Sequence, residues 1–207
     1  MNTYDSRPDT HAHIAEVRGL LLAAVQDLTR RAHVHDLSKL ASPEVEVFDT
    51  VTPRLRELEY GSEAYKASLK EMGAALQHHY LHNDHHPEHH LNGIRDMNLL
   101  QLLEMLCDWM AATKRHATGD IRKSIQINAE RFGYGEGLTA LLLNTVPALE
   151  YLADEQRDVE LLREFRAAQR DFNLWKVQDS HGVLSDGYRV AEARYWAAHT
   201  ALTGQGR

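Results

Sequence analysis

The chain has 207 residues, of which 43% are hydrophobic and 26% charged, and a formal net charge of −7. That length suffices for one domain with a sizeable core, and an acid excess with no strongly basic stretch argues against nucleic-acid backbone binding as the main task. One cysteine, Cys107, excludes an intrachain disulfide and a zinc–cysteine cluster. The first seven residues lack the basic and apolar parts of a secretory signal, and no apolar run approaches the roughly 20 residues that span a bilayer. A soluble cytoplasmic protein without membrane contact is therefore expected.

Asp9 or Thr10 can cap a first helix, in which Ile14, Val17, Leu21, Ala24, Val25 and Leu28 recur at helical spacing, with His13 on the edge of that face. A short second helix is predicted over residues 33–40. Ser42-Pro43-Glu44 has the form of an N-cap, a first-turn proline and a first-turn acid, and Thr52-Pro53 repeats the device. Ser62 opens a longer helix with Tyr65, Leu69, Met72, Leu76 and His79 on one stripe. A histidine-crowded stretch follows and ends at Asn92-Gly93, a turn signal. Asp96 is placed to cap an apolar helix from Met97 to about His116, and Asp120 to start another with Ile121, Ile125 and Phe132 inward. Residues 133–137 read as a loop, and Pro147 interrupts the helix after it.

The remainder reads as an amphipathic helix through Leu161, Leu162, Phe165, Gln169 and Phe172, a short hairpin over 175–184, and a final helix through Ala191, Tyr195 and His199. The expected architecture is an all-α bundle: a core over 1–153 and a C-terminal helix/hairpin accessory segment over 154–207.

Chemistry concentrates in four places. His35-Asp36 joins an imidazole to a carboxylate, a ligand mix that divalent transition metals favour. On a helix, Lys39 shares a side with both, and an ammonium there can hold a phosphate oxygen. Seven of the fourteen histidines lie between 78 and 90. They are too many for one small site, and a polar loop would solvate some of them or bond them to backbone carbonyls. Helical phase carries the inward stripe from His79 to Asn83 and His86, with His85 close behind. On the helix from Met97, the polar strip Gln101, Glu104, Asp108 and Arg115 is either its one solvated line or the wall of a buried polar site. If buried, Asp108 needs a metal or a cation. Cys107, within the same apolar helix, is expected to be a small core residue rather than a nucleophile.

These residues resemble the HD-domain superfamily of metal-dependent phosphohydrolases, whose pattern is an early helical histidine, a His-Asp pair on the next helix and a later aspartate. More closely, the chain is similar to an uncharacterised bacterial and phage family of this kind. The blocks that carry the likeness are His-Asp-Leu-Ser-Lys-Leu from His35, the run from His78 to His89, and Glu104-Met-Leu-Cys-Asp-Trp-Met-Ala-Ala. The resemblance covers roughly residues 10–146. It implies an HD-like bundle in which His13, His35, Asp36 and Asp108 hold a first divalent transition metal. His11 competes for the first place, and the phase with Val17 and the spacing to His35 favour His13. Asp36 would bridge to a second ion on His79 and His86. The metals Mn, Fe, Co, Ni and Zn are not distinguished by such ligands.

The resemblance also implies hydrolysis of a nucleotide or related small phosphate ester by metal-activated water. Lys39 would balance phosphoryl charge, and Glu104 would orient ligands or handle protons. Two alternatives share the site: an HD-type diiron oxygenase, and a non-catalytic metal-stabilised module that binds a protein partner through residues 154–207.

Overall fold

A computed structural model describes residues 4–55, 57–58, 62–115, 119–178 and 186–204. The described residues form seven α-helices, three short 3₁₀ turns and no strand, so the fold is all-α. The helices are α1 (Arg7–Val34), α2 (Val45–Leu55), α3 (Glu63–His82), α4 (Leu99–Thr113), α5 (Ile121–Phe132), α6 (Glu136–Gln178) and α7 (Asp186–Thr203). Two compact units divide the chain, Met1–Leu142 and Leu143–Arg207, and the division falls inside α6. The boundary expected after residue 153 also falls inside that helix.

Local chemistry explains most helix ends. Ser62 caps α3 by accepting from the Tyr65 amide at 3.2 Å, and Asp120 caps α5 through the Arg122 amide at 2.8 Å. Gly133 closes α5 in the left-handed conformation, φ 64°, that a residue without Cβ adopts freely. α4 starts from a capping box in which Asn98 and Gln101 each bond the other's backbone.

Several expected ends move. α1 begins at Arg7, so Asp9 and Thr10 lie inside its first turn and the Thr10 hydroxyl donates back to the Ser6 carbonyl. Residues 33–40 are not a separate helix: His33 and Val34 finish α1, and Leu37–Leu40 is a 3₁₀ turn. Glu44 precedes α2 instead of lying in its first turn and is buried, and Pro53 sits in the last turn of α2 instead of starting a helix. Asp96 closes the Asn92-Gly93 turn by accepting from the Asn92 amide at 2.9 Å, which leaves the cap of α4 to Asn98. α6 continues through Pro147, tolerating one lost backbone hydrogen bond. The hairpin expected over 175–184 is helical through Gln178. Its remainder, with Gly182, lies outside the described residues, as do His116 and the side chain of Phe172.

In the first unit α1 packs on α4, α2 on α3, and α4 on α5. Ile94, Met97 and Met105 form a buried cluster, with Leu102, Trp109, Tyr134 and Leu138 packed against it. Ile125 on α5 is fully buried. α3 bends at Gly73, whose φ of 45° and ψ of −116° no ordinary residue adopts without strain. Beyond the bend His79 is buried, as the predicted stripe from Met72 has it, while Leu76 of that stripe is half-buried and Ala75 is buried instead. In α1 the predicted inward stripe is exposed: Ile14 by 45%, Leu21 by 63% and Val25 by 57%. In the second unit, Phe165 of α6 meets Tyr195 and His199 of α7 at 5.5 and 6.0 Å between ring centres. No described helix is long and apolar enough to cross a membrane.

Met105→Ala is expected to lower unfolding free energy by roughly 2–5 kcal/mol, the cost of a cavity in a packed core. Leu21→Ala, on the exposed stripe, is expected to change it by no more than about 0.5 kcal/mol. Urea unfolding of the two variants beside the parent checks both.

Candidate metal centre

The centre starts at the corner where α1 ends. His35 leaves helical geometry, and Asp36 takes a left-handed conformation, φ 58° and ψ 13°, before the 3₁₀ turn begins. A non-glycine residue held there costs on the order of 1–3 kcal/mol, a strain that clusters at functional sites. The Lys39 amide donates to the Asp36 carbonyl at 2.9 Å and closes the turn, while Lys39 Nζ lies 2.6 Å from Asp36 Oδ2. α3 brings His79 to the same corner. It ends at His82, and Asn83 turns the backbone so that His85 and His86 come round behind His79. α4 contributes Glu104 and Asp108, one turn apart.

Four imidazole Nε2 atoms converge around Asp36. His79 Nε2 and His85 Nε2 lie 3.4 and 3.7 Å from Asp36 Oδ1. His35 Nε2 lies 3.4 Å from Asp36 Oδ2 and 3.7 Å from Asp108 Oδ1. His86 Nε2 is 2.9 Å from His79 Nε2, an approach that needs a shared proton or a shared cation. Two groups able to hold a metal ion therefore meet at one carboxylate: Asp36, His79, His85 and His86 on one side, and His35, Asp36 and Asp108 on the other. Asp36 Oδ1 and His85 Nε2 are buried and have no hydrogen-bond partner. Buried polar atoms left unpaired are costly, and a cation between these two would satisfy both. Imidazole nitrogen with carboxylate oxygen is also the donor set that divalent transition metals accept.

Carboxylates hold the same rings from behind. Glu104 Oε1 lies 2.9 Å from His35 Nδ1 and 3.2 Å from His85 Nδ1. Glu44 Oε2 lies 2.9 Å from His79 Nδ1, and its Oε1 lies 2.7 Å from His78 Nδ1. An ionised carboxylate only accepts, so each contact calls for a proton on Nδ1 and makes Nε2 the nitrogen that a cation would take, in place of any second proton. Arg31, buried at the end of α1, spans Glu104 at 2.8 Å, Asp84 at 2.8 Å and Asp27 at 2.7 Å. Gln101 donates to Asp84 at 2.8 Å.

The charge pattern follows from this packing. Burial would raise the Glu104 carboxyl, but hydrogen bonds from His35, His85 and Arg31 overcome it and hold the group well below the usual carboxylate range. Asp36 and Asp108 are likewise lowered against their burial, Asp36 chiefly by Lys39 and Asp108 chiefly by the neighbouring His35. The carboxylates of Asp108 and Glu104 push His35 up to about 10. Burial and the neighbouring His85 and His79 push His86 down to about 2. A cleft of about 420 Å³ opens beside His35, His85 and Glu104, with Arg30, Arg31 and Asp84 also on its walls.

Residues 2–155 match DUF5662, a family of unknown function. The chain belongs to that family. None of the curated proteins and none of the solved structures compared matches it. The matched span contains every residue of the centre.

Within this DUF5662 segment, the structure gathers His35, Asp36, His79, His86 and Asp108, sets Lys39 on Asp36, and puts Glu104 behind two of the rings. It does not gather His13. That residue is exposed on α1, 22 positions before His35, which places it roughly 30 Å away along an unbroken helix. His11 is exposed on the same helix. The ring that completes the first-named group is His85, which sequence phase set only behind His86, because α3 stops before either of them. Cys107 is exposed on α4 rather than in the core.

Glu44, Arg31 and Asp84 were not anticipated. Glu44 read only as a first-turn acid, Arg31 and Asp84 carried no signal of their own, and the fold brings all three to the centre. Of the other clustered histidines, His82, His89 and His90 bond the carbonyls of His78, Tyr80 and Asp84.

Arg31→Met is expected to cost about 3 kcal/mol at neutral pH, since it strands Glu104 beside a half-exposed Asp84. Both carboxyls are lowered in the folded protein, so the ion-pair contribution is complete above their unfolded range near 4 and fades as pH falls below it. The stability gap between parent and variant should therefore narrow below about pH 4, read from denaturant unfolding at stepped pH. For metal content, His85→Ala should lose bound ion and His13→Ala should match the parent, read by elemental analysis after gel filtration.

Proposed function

We propose that this protein is a metal-dependent phosphohydrolase of the HD type, acting on a nucleotide or related small phosphate ester. The observation that carries the proposal is a carboxylate, Asp36, shared by two metal-competent groups with unpaired buried atoms at their junction, and with a lysine against it. Phosphate-ester hydrolysis can use that combination: cation sites beside one another, and a positive side chain for phosphoryl charge.

A divalent ion, when bound, supplies Lewis acidity and water activated near neutral pH. The chain's own groups do the rest. Asp36 sits between the two groups, and the corner at φ 58° fixes its direction. Asp108 and His35 form one group with it, and His79, His85 and His86 the other. Lys39 Nζ, 5.2 Å over the Phe48 ring, is steered toward the cluster and can exchange its Asp36 contact for a phosphoryl oxygen. Glu104 has both oxygens committed to His35, His85 and Arg31, so its part is to orient imidazoles rather than to move a proton.

The imidazole excess around Asp36 also suits a diiron oxygenase, and the test separates the two. Tag-free protein is analysed for metal beside Asp36→Ala and Lys39→Ala, then assayed on a panel of nucleotides and phosphate esters. Expected are metal in the parent, its loss in Asp36→Ala, and phosphate release that falls about 10²- to 10³-fold in Lys39→Ala while metal is kept. Iron with oxygen consumption and no phosphate release would replace the hydrolase with an oxygenase. Metal without turnover of either kind would leave a metal-stabilised binding module.

A further inference from the structure

The least expected group near the centre is Glu44. It is fully buried and carries no arginine or lysine: among the described residues its ion-pair partners are His78 and His79 alone. Its third contact is the Ser38 hydroxyl, which donates to Oε2 at 3.1 Å and accepts from Asn83 at 2.8 Å. Asn83 Nδ2 donates to the His79 carbonyl at 2.8 Å and also lies 3.0 Å from His79 Nδ1, where it competes with Glu44 at 2.9 Å. The charged acceptor is the stronger partner, and it calls for the proton on Nδ1. A buried carboxylate must have its charge compensated, and neutral imidazoles do that incompletely. The deficit is met if a cation sits on the far nitrogen of His79, and Nε2 is the atom that points at Asp36 and His86.

Resting on the metal-site reading above, we infer that Glu44 is a positioning residue for the histidine-rich half of the centre. It fixes His79 as the Nδ1–H tautomer, aims Nε2 at the ion, and adds negative charge to a ligand set of three imidazoles and one carboxylate. Glu104 serves His35 and His85 in the same way, but its charge is shared with Arg31. Among the described residues Glu44 meets no arginine or lysine, and its Oε2 faces His79 while Oε1 faces His78, so its charge is available to the cation through His79. Histidine ligands backed by carboxylates gain basicity and orientation, and loss of such a partner lowers metal affinity by about 10- to 100-fold.

The experiment uses the full chain. Cobalt(II) or zinc(II) is titrated into metal-free parent, Glu44→Gln and Asp36→Ala, with circular dichroism and thermal melts of each metal-free protein as the folding control. Glu44→Gln keeps the size and one hydrogen bond while removing the charge. It should bind with an affinity lower by about 10- to 100-fold and with an altered cobalt absorption band. Parent and Glu44→Gln with equal affinity and identical spectra would overturn the role of Glu44 and leave the metal site standing. No binding by the parent would overturn the site itself. A second measurement needs no variant: long-range ¹H–¹⁵N spectra of the loaded parent should show His79 with its proton on Nδ1. A proton on Nε2 would overturn the assignment even if Glu44→Gln fails to fold.

Discussion

The structure depends on a repeated arrangement in which a carboxylate holds an imidazole by Nδ1 so that Nε2 faces Asp36. Glu104 does this for His35 and His85, and Glu44 for His79. The rings come from three different stretches of chain, the end of α1, the second half of α3 and the turn after it. Without the carboxylates each ring could rotate or change tautomer, and the shared focus would be lost. The cost is a set of buried charges that must balance one another, since burying an unpaired ion is far more expensive than burying a hydrogen-bonded one.

That balance links the centre to the bundle. Arg31 occupies the last turn of α1 and ties it to Glu104 on α4 and to Asp84 in the turn after α3. The α1–α4 contact is thus partly ionic, and it lies directly behind the histidines. Asn83 and Ser38 make a parallel link between the 3₁₀ turn and the end of α3. Polar networks of this kind rigidify a site when every member is satisfied. Here the unsatisfied atoms are Asp36 Oδ1 and His85 Nε2, at the focus itself.

The apolar core lies beside this network. Met105 and Leu106 on α4 are almost completely buried, and Glu104 and Asp108 flank them on the same helix. One helix thereby serves the core with one face and the centre with the other. This resolves the ambiguity of its polar strip: Glu104 and Asp108 line a mostly buried polar site, while Arg115 is exposed.

The helical class and the caps at Ser62 and Asp120 were legible in the sequence, because periodicity and capping chemistry are written over a few residues. The gathering of His35, Asp36, His79 and Asp108 was legible only through the resemblance to HD-domain proteins, since these residues lie on separate stretches of chain. The sequence also marked His86, although the helical phase used to reach it does not persist beyond His82. The tertiary structure decided what depends on contacts between distant stretches. It left His13 on the surface because α1 runs unbroken, brought His85 inward through the Asn83 turn, and buried Glu44 and Arg31 against histidines and acids far away in sequence. A charged side chain reads the same in sequence whether it meets water or a buried counter-charge, and only the packing of α1, α3 and α4 separates the two.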